Sequence, residues 1–276
     1  MFRATFLAEE CLLTAEDVRR LIILRNQYDY PNAHMQLSAN PTPFPLAKDV
    51  WAAPVLPNGA ITDFALDEYH RKLLNDPEPV NKLLGTTSKI FWGFFSMSPG
   101  LALVRTERHL LGFRSKPGTS LSAIEDAFTR MDATSNMGQK LAALDGICQL
   151  GRMPFASKVV TGRYPEQSGV LDTQLYKGLS LSPWSRGASF LHIGSVRDTR
   201  NQEAFRAWCE VLSNVSAQLN AGIDAGLPWL WTDADTAKRR WRPVDVERAI
   251  FKFCQLGKAD PRRLAHLLNC SDALSF

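Results

Sequence analysis

The sequence predicts a mainly α-helical protein, and three observations predict it. Apolar residues recur at helical spacing along much of the chain, recognisable caps bound those stripes, and no stretch alternates long enough to force a sheet. With 45% hydrophobic and 22% charged residues over 276 positions, the composition is that of a globular protein. It excludes a disordered tail, a collagen-like fibre and a disulfide scaffold. Residues 14–28 read as the first helix: Thr14 is the N-cap, Asp17 follows three residues on, and Val18, Leu21, Ile22 and Leu24 form the stripe. Residues 31–57 hold six of the sixteen prolines and no steady period, which predicts a long irregular segment ending in a turn at Pro57-Asn58-Gly59. Residues 62–74 resume a helical pattern. The aromatic block Ile90-Phe91-Trp92-Gly93-Phe94-Phe95 follows, and then a stretch punctuated by Gly and Pro up to Thr119.

The second half is more plainly helical. Ser122 and Glu125 read as a capping box ahead of Ala127 and Phe128. Residues 138–150 place Leu141, Leu144, Ile147 and Cys148 on one face. Residues 201–219 read as a long helix through Phe205, Trp208, Leu212 and Val215. Pro243 stands at a favourable first-turn position before Val244, Val246, Ile250 and Phe253, and Asp260-Pro261 caps a last helix to about Leu268.

The five cysteines are scattered, with neither C-x-x-C nor cluster spacing, so buried reduced thiols are expected. The five histidines show no ligand spacing either, so no metal and no cofactor are expected. The longest apolar stretch, residues 90–97, is far short of the roughly 20 residues that span a bilayer. Glu9 and Glu10 interrupt the apolar patch at the N-terminus, and the protein is expected to be cytoplasmic, away from membranes, with no obligate protein partner. The net charge of +4 is unevenly placed. Residues 140–206 and 232–263 each hold nine basic and five acidic residues, so these two segments carry +8 and the rest −4. Such a basic face suits a polyanion such as nucleic acid, and equally suits a solvated helical face.

Chemistry concentrates in residues 141–181, LAALDGICQLGRMPFASKVVTGRYPEQSGVLDTQLYKGLSL. The segment reads as helix, tight hairpin (Gly151-Arg152-Met153-Pro154-Phe155-Ala156), short helix, loop, and a further helix capped by Asp172. A hairpin between two helices turns backbone N–H groups outward at the second helix's start, where they and the helix dipole can hold a phosphate. Lys158 lies just inside that second helix, fourteen residues before Asp172.

This arrangement resembles the helix-hairpin-helix DNA glycosylases, and within them the 8-oxoguanine-glycosylase-fold branch. Arg152-Met153-Pro154-Phe155-Ala156-Ser157-Lys158 takes the place of that superfamily's Leu-Pro-Gly-Val-Gly-Thr-Lys hairpin, with Pro154 and Ala156 where the family has glycines. Val170-Leu171-Asp172 matches its Val-Asp at a helix start, although the family's lysine and aspartate usually stand a few residues further apart. Bacterial stand-alone members share Trp92-Gly93, Ala156-Ser157-Lys158, Leu171-Asp172 and Trp241-Arg242-Pro243-Val244-Asp245-Val246-Glu247, a resemblance spanning residues 90–255 or so. Some members of this branch act in defence against phage, excising hypermodified bases such as glucosylated hydroxymethylcytosine.

The resemblance implies a two-lobed helical fold around a cleft for double-stranded DNA. Residues 1–110 with 205–276 would form one lobe and residues 111–204 the hairpin lobe. It implies Asp172 as the carboxylate that stabilises an oxocarbenium-like sugar, and Lys158 as an amine nucleophile. DNA would be held by Gly151, Arg152, Phe155, Ala156, Ser157 and Arg163. Because the target base leaves the stack, a pocket with aromatic walls is required, for which Phe91, Trp92, Phe94 and Trp184 are the candidates. The alternatives are an 8-oxoguanine repair glycosylase with lyase activity and a non-catalytic DNA-binding module. On the residues alone, Asp172 is also a sufficient helix cap, Lys158 a phosphate-binding lysine, and the aromatic block a piece of core.

Overall fold

Ten helices and seven short strands are formed by residues 13–57, 61–179 and 192–259, the part of the chain described by this computed structural model. The chain divides into two units: residues Tyr30–Tyr164 with Gly194–Gln202, and residues Met1–Asp29, Pro165–Ile193 and Glu203–Phe276. These boundaries run elsewhere than at residues 110 and 204.

The first unit opens where an irregular segment was expected. Strands β1 (His34–Ser38), β2 (Phe44–Ala47) and β3 (Val50–Val55) form an antiparallel sheet in the order β1-β3-β2, so the expectation of no sheet is corrected. The prolines are accommodated by register. Met35 pairs with Pro54, but turns its own N–H to Ser88 Oγ (3.0 Å) and accepts from Tyr69 Oη at its carbonyl (2.7 Å), both away from β3. In such a pair the Pro54 nitrogen also faces away from β1, and β2, which pairs only with residues 50–52, no longer covers that side. A missing donor therefore breaks no ladder bond.

Helices α2 (Asp63–Leu74), α3 (Pro79–Phe95), α4 (Pro99–Leu111), α5 (Leu121–Asp132), α6 (Met137–Ala142) and α7 (Met153–Arg163) complete this unit. From Leu83 to Phe94 every residue of α3 is buried, the polar run Thr86-Thr87-Ser88-Lys89 included, because α2, α4, α5, α7 and the sheet pack around it. Helix α4 replaces the expected Gly/Pro-punctuated stretch: Ser98 is its N-cap and Pro99 its first residue, the position where proline's missing N–H is harmless. It ends at Gly112, whose φ of 88° only glycine adopts freely, and leads into the hairpin of β4 (Gly112–Phe113) and β5 (Lys116–Pro117). The cap of α5 is Ser120, two residues before the expected Ser122, and the helix expected over residues 138–150 is only the short α6 followed by turns.

The second unit holds α1 (Ala15–Asn26), α8 (Thr173–Leu179), α9 (Thr199–Asp224) from Glu203 onward, the two-residue strands β6 (Trp231–Thr232) and β7 (Lys238–Arg239), and α10 (Pro243–Ala259). Thr14 and Asp17 form the expected capping box on α1. The Trp241-Arg242-Pro243-Val244-Asp245 run builds the start of α10. Asp245 accepts from the Arg242 backbone N–H (3.2 Å) and Nε (2.8 Å), and from Arg25 Nη2 (2.9 Å), with Arg248 Nη1 at 3.8 Å. Burial alone would raise the Asp245 carboxyl, but the guanidiniums of Arg242, Arg25 and Arg248 outweigh it and hold the group below the usual carboxylate range.

The Pro57-Asn58-Gly59 turn, in part, and the Asp260-Pro261 cap, Cys11, Cys270 and Trp184 lie outside the described residues. Among the described residues no helix is long and apolar enough to cross a membrane, and no group of three metal-ligating side chains is arranged around a common centre.

Candidate functional site

Helix α7 starts differently from the expected phosphate grip. Arg152 precedes it in extended conformation and bridges to Ser195, and the Met153 N–H donates to the Gly194 carbonyl (3.0 Å). Pro154 has no N–H, and the Phe155 and Ala156 N–H groups both donate to the Arg152 carbonyl (3.2 Å). The N–H groups of Met153, Phe155 and Ala156 are therefore bonded within the unit. What remains at the surface is the Arg152 side chain, exposed, beside the half-buried Gly151 and Phe155.

Three residues expected to touch DNA are withdrawn from the surface. Ala156 and Ser157 are fully buried. Arg163 is buried at the end of α7, where its Nη2 donates to both carboxylate oxygens of Asp132 (2.7 and 2.8 Å), and its guanidinium lies over Phe128. Tyr164 Oη donates to the same carboxylate (2.9 Å). Arg163 thus ties α7 to α5, because a buried guanidinium needs a carboxylate more than a distant phosphate.

Lys158 is buried on α7, 4% exposed, in a channel that Gly93 opens: a Cβ at Gly93 would stand 2.8 Å from Lys158 Cδ and 3.1 Å from Phe155 Cε1. Its Nζ donates to the Pro154 carbonyl (3.3 Å) and lies 5.6 Å from the Phe155 ring and 5.9 Å from the Trp92 ring. The relation is reciprocal. Lys89 on α3 runs past Gly162 on α7, where a Cβ would collide with its Cε, and its Nζ lies 4.7 Å from the Trp92 ring. Each helix inserts a lysine against the other's glycine, with the Trp92 ring near both ammonium groups. Tyr30 packs on Trp92 (4.7 Å between centroids) and donates its Oη to the Gly93 carbonyl (3.2 Å). Lys89 was missed in the sequence, although a lone charge inside an apolar helical run was the available signal.

The expected pocket walls Phe91, Trp92 and Phe94 are all buried on α3. Phe91 packs against Phe95 (5.5 Å), and Phe94 stacks on Phe155 (4.0 Å, 14°). Of the three, Trp92 meets Lys158 directly.

In the other unit, Asp172 caps α8 as expected: its Oδ1 accepts from the Gln174 N–H (2.9 Å) and the Leu175 N–H (3.0 Å). It is half-buried, and the preceding Val170 carbonyl is fixed by Trp208 Nε1 (2.9 Å). Across α8, Cys254 of α10 fills the space left by Gly178. Burial pushes the Cys254 thiol well up, and the nearby carboxylates of Asp172 and Glu247 add to it. Glu247, a buried acid at the end of the Trp241–Glu247 run, is therefore a neighbour of the Asp172 region.

Compared with protein families, characterised proteins and solved structures, the chain has no match.

Proposed function

We propose that the chain is a DNA glycosylase with a two-lobed helix-hairpin-helix fold, which flips a modified base out of double-stranded DNA and cleaves its N-glycosidic bond. The observation that carries this reading is Asp172, an aspartate whose one oxygen is held by two backbone N–H groups at the start of a helix. A carboxylate oriented this way does not need to reorganise when positive charge develops on the sugar. As the bond from C1′ to the base lengthens, the carboxylate stabilises the oxocarbenium character. Water then adds to C1′, its proton leaves, and the base departs protonated.

A second route on the same reading uses Lys158, which must leave its buried place beside the Phe155 and Trp92 rings to reach DNA. Its amine would attack C1′ and expel the base, which leaves with a proton from the amine, and a Schiff base would form as the sugar ring opens, the step that leads to strand scission. DNA contact at the hairpin then rests on Arg152, Gly151 and Phe155 rather than on backbone N–H groups. This disfavours a module that binds DNA through the hairpin alone. By its resemblance to the stand-alone bacterial members, the substrate is a hypermodified base of phage DNA such as glucosylated hydroxymethylcytosine, with 8-oxoguanine as the repair alternative.

The test uses duplexes carrying a single 8-oxoguanine, uracil, hydroxymethylcytosine or glucosylated hydroxymethylcytosine. Strand breaks that need alkali and vanish in Asp172→Asn are the expected result and name the base. Breaks without alkali, with a borohydride-trapped adduct lost in Lys158→Ala, assign the lyase route. Binding without cleavage of any of the four would overturn the enzyme reading.

A further inference from the structure

We infer that the β4–β5 hairpin is a second DNA-contacting element, with Phe113 as a stacking surface and Arg108, Arg114 and Lys116 as phosphate ligands. This rests on the nucleic-acid part of the reading above, but on none of the residues assigned there.

The hairpin is a two-residue turn, Arg114-Ser115, between the pairs Gly112↔Pro117 and Phe113↔Lys116. Phe113 is 41% exposed, a large share for a phenylalanine, and its ring is flanked by two guanidiniums, Arg108 Cζ at 3.9 Å and Arg114 Cζ at 5.0 Å from its centroid. Guanidiniums lying over an aromatic ring keep their N–H edges for an incoming anion, and the exposed part of the Phe113 ring is the surface left for a base to stack on. Lys116 adds a third cation, exposed like Arg114, whereas Arg108 is half-buried. Among the described residues none of the three forms an ion pair, and the acid nearest in sequence is the exposed Glu107 of α4. With no ion pair on any of the three, their charge is available to a polyanion.

The backbone supplies an independent argument. Arg114 sits at φ 56°, in the left-handed region where glycine is at ease and an arginine is strained. Glycine would relieve that strain, as it would at Asp49 (φ 59°) and Thr236 (φ 68°) in the other two hairpins. Strain kept at a position where it is easily relieved points to a use for the side chain. The alternative occupant is an anionic membrane, since Val104 and Leu111 are also exposed on α4. DNA is favoured because two guanidiniums lie over the ring, which is not free to insert into a membrane.

Binding of a fluorescein-labelled duplex and of phosphatidylserine vesicles is measured for the full chain, Arg114→Gly and Phe113→Ala, across a salt series, beside the melting temperature. Arg114→Gly is expected to melt no lower than the wild type while binding DNA several-fold more weakly, with the slope of log K against log salt reduced by about one. Phe113→Ala is expected to weaken DNA binding about tenfold with the salt slope unchanged. Wild-type affinity in both variants overturns the inference, even if the protein excises a base. Vesicle binding lost in the variants, with DNA binding intact, overturns it in favour of a membrane. If no base is excised but the hairpin variants lose DNA, the glycosylase reading fails and this one stands.

Discussion

Asparagine caps a helix about as well as aspartate, because its amide oxygen accepts the same backbone donors. Asp172→Asn therefore removes the charge and leaves the bonds to Gln174 and Leu175 in place. We expect its melting temperature to match the wild type and base excision to fall by about two orders of magnitude or more. Asp172→Ala should fall as far in excision and also lose about 1 kcal/mol of stability. Equal excision in wild type and Asp172→Asn would reduce the residue to a cap. Arg163 predicts the opposite pattern. Its guanidinium is buried on Asp132, so Arg163→Ala should cost about 2 kcal/mol in urea unfolding. Its DNA affinity, measured where the variant is fully folded, should equal the wild type's, whereas a severalfold loss would return Arg163 to the phosphate ligands. The sequence could not separate these two residues. A cap is local, so Asp172 was legible at helix spacing, but the partner of Arg163 lies thirty-one residues away on another helix.

The pairing of α3 with α7 is the feature of element scale on which the lysine chemistry depends. Gly93 and Gly162 let the two helices approach closely enough for Lys158 and Lys89 to lie in each other's groove. Gly93→Ala tests this. The new methyl meets the flexible stem of Lys158 and the edge of Phe155, which can shift, and alanine improves helix propensity by roughly 1 kcal/mol. The melting temperature should stay within about 4 °C of the wild type. A borohydride-trapped adduct, if wild type forms one, should drop about tenfold as the amine is displaced. Unchanged trapping would show that the channel does not position Lys158. The same contrast explains what was readable of the fold. Helices α1, α2 and α10 announce themselves through caps and stripes within a few residues. Helix α4 was hidden because Ser98-Pro99, a helix start, has the same composition as a turn. The sheet was hidden because its prolines are tolerated only through a register that Ser88 and Tyr69, from distant helices, help to fix.

For the whole molecule, acid sensitivity should come in two stages, one from each unit. In the sheet-bearing unit, His109 is fully buried with Nδ1 2.8 Å from the Cys148 carbonyl, and burial holds its pKa down to about 4. The unfolded chain takes up that proton near pH 6.5, so below this pH the unfolded state binds more protons than the folded one. Stability is complete above pH 6.5 and declines down to about pH 4, by about 3 kcal/mol for a shift of this size. Burial lowers His34 in the same unit as well, which adds a change of the same sign. In the other unit, Asp245 is held below the usual range by three arginines, so its contribution is present above the ordinary carboxylate pKa of about 4 and is lost only as pH falls through the lower folded value. Urea unfolding from pH 8 to pH 3 should therefore show a first decline between pH 6.5 and 4, largely removed in His109→Gln, which retains a donor for the Cys148 carbonyl but cannot titrate. A second decline at lower pH should persist in that variant. In Asp245→Asn the second decline should be reduced, and stability should already be about 3 kcal/mol lower at neutral pH, because three buried guanidiniums have lost their carboxylate. A wild-type profile flat from pH 6.5 to 4 would mean that His109 takes up its proton in the folded protein, and that the Cys148 carbonyl and Thr119, not burial, decide its charge.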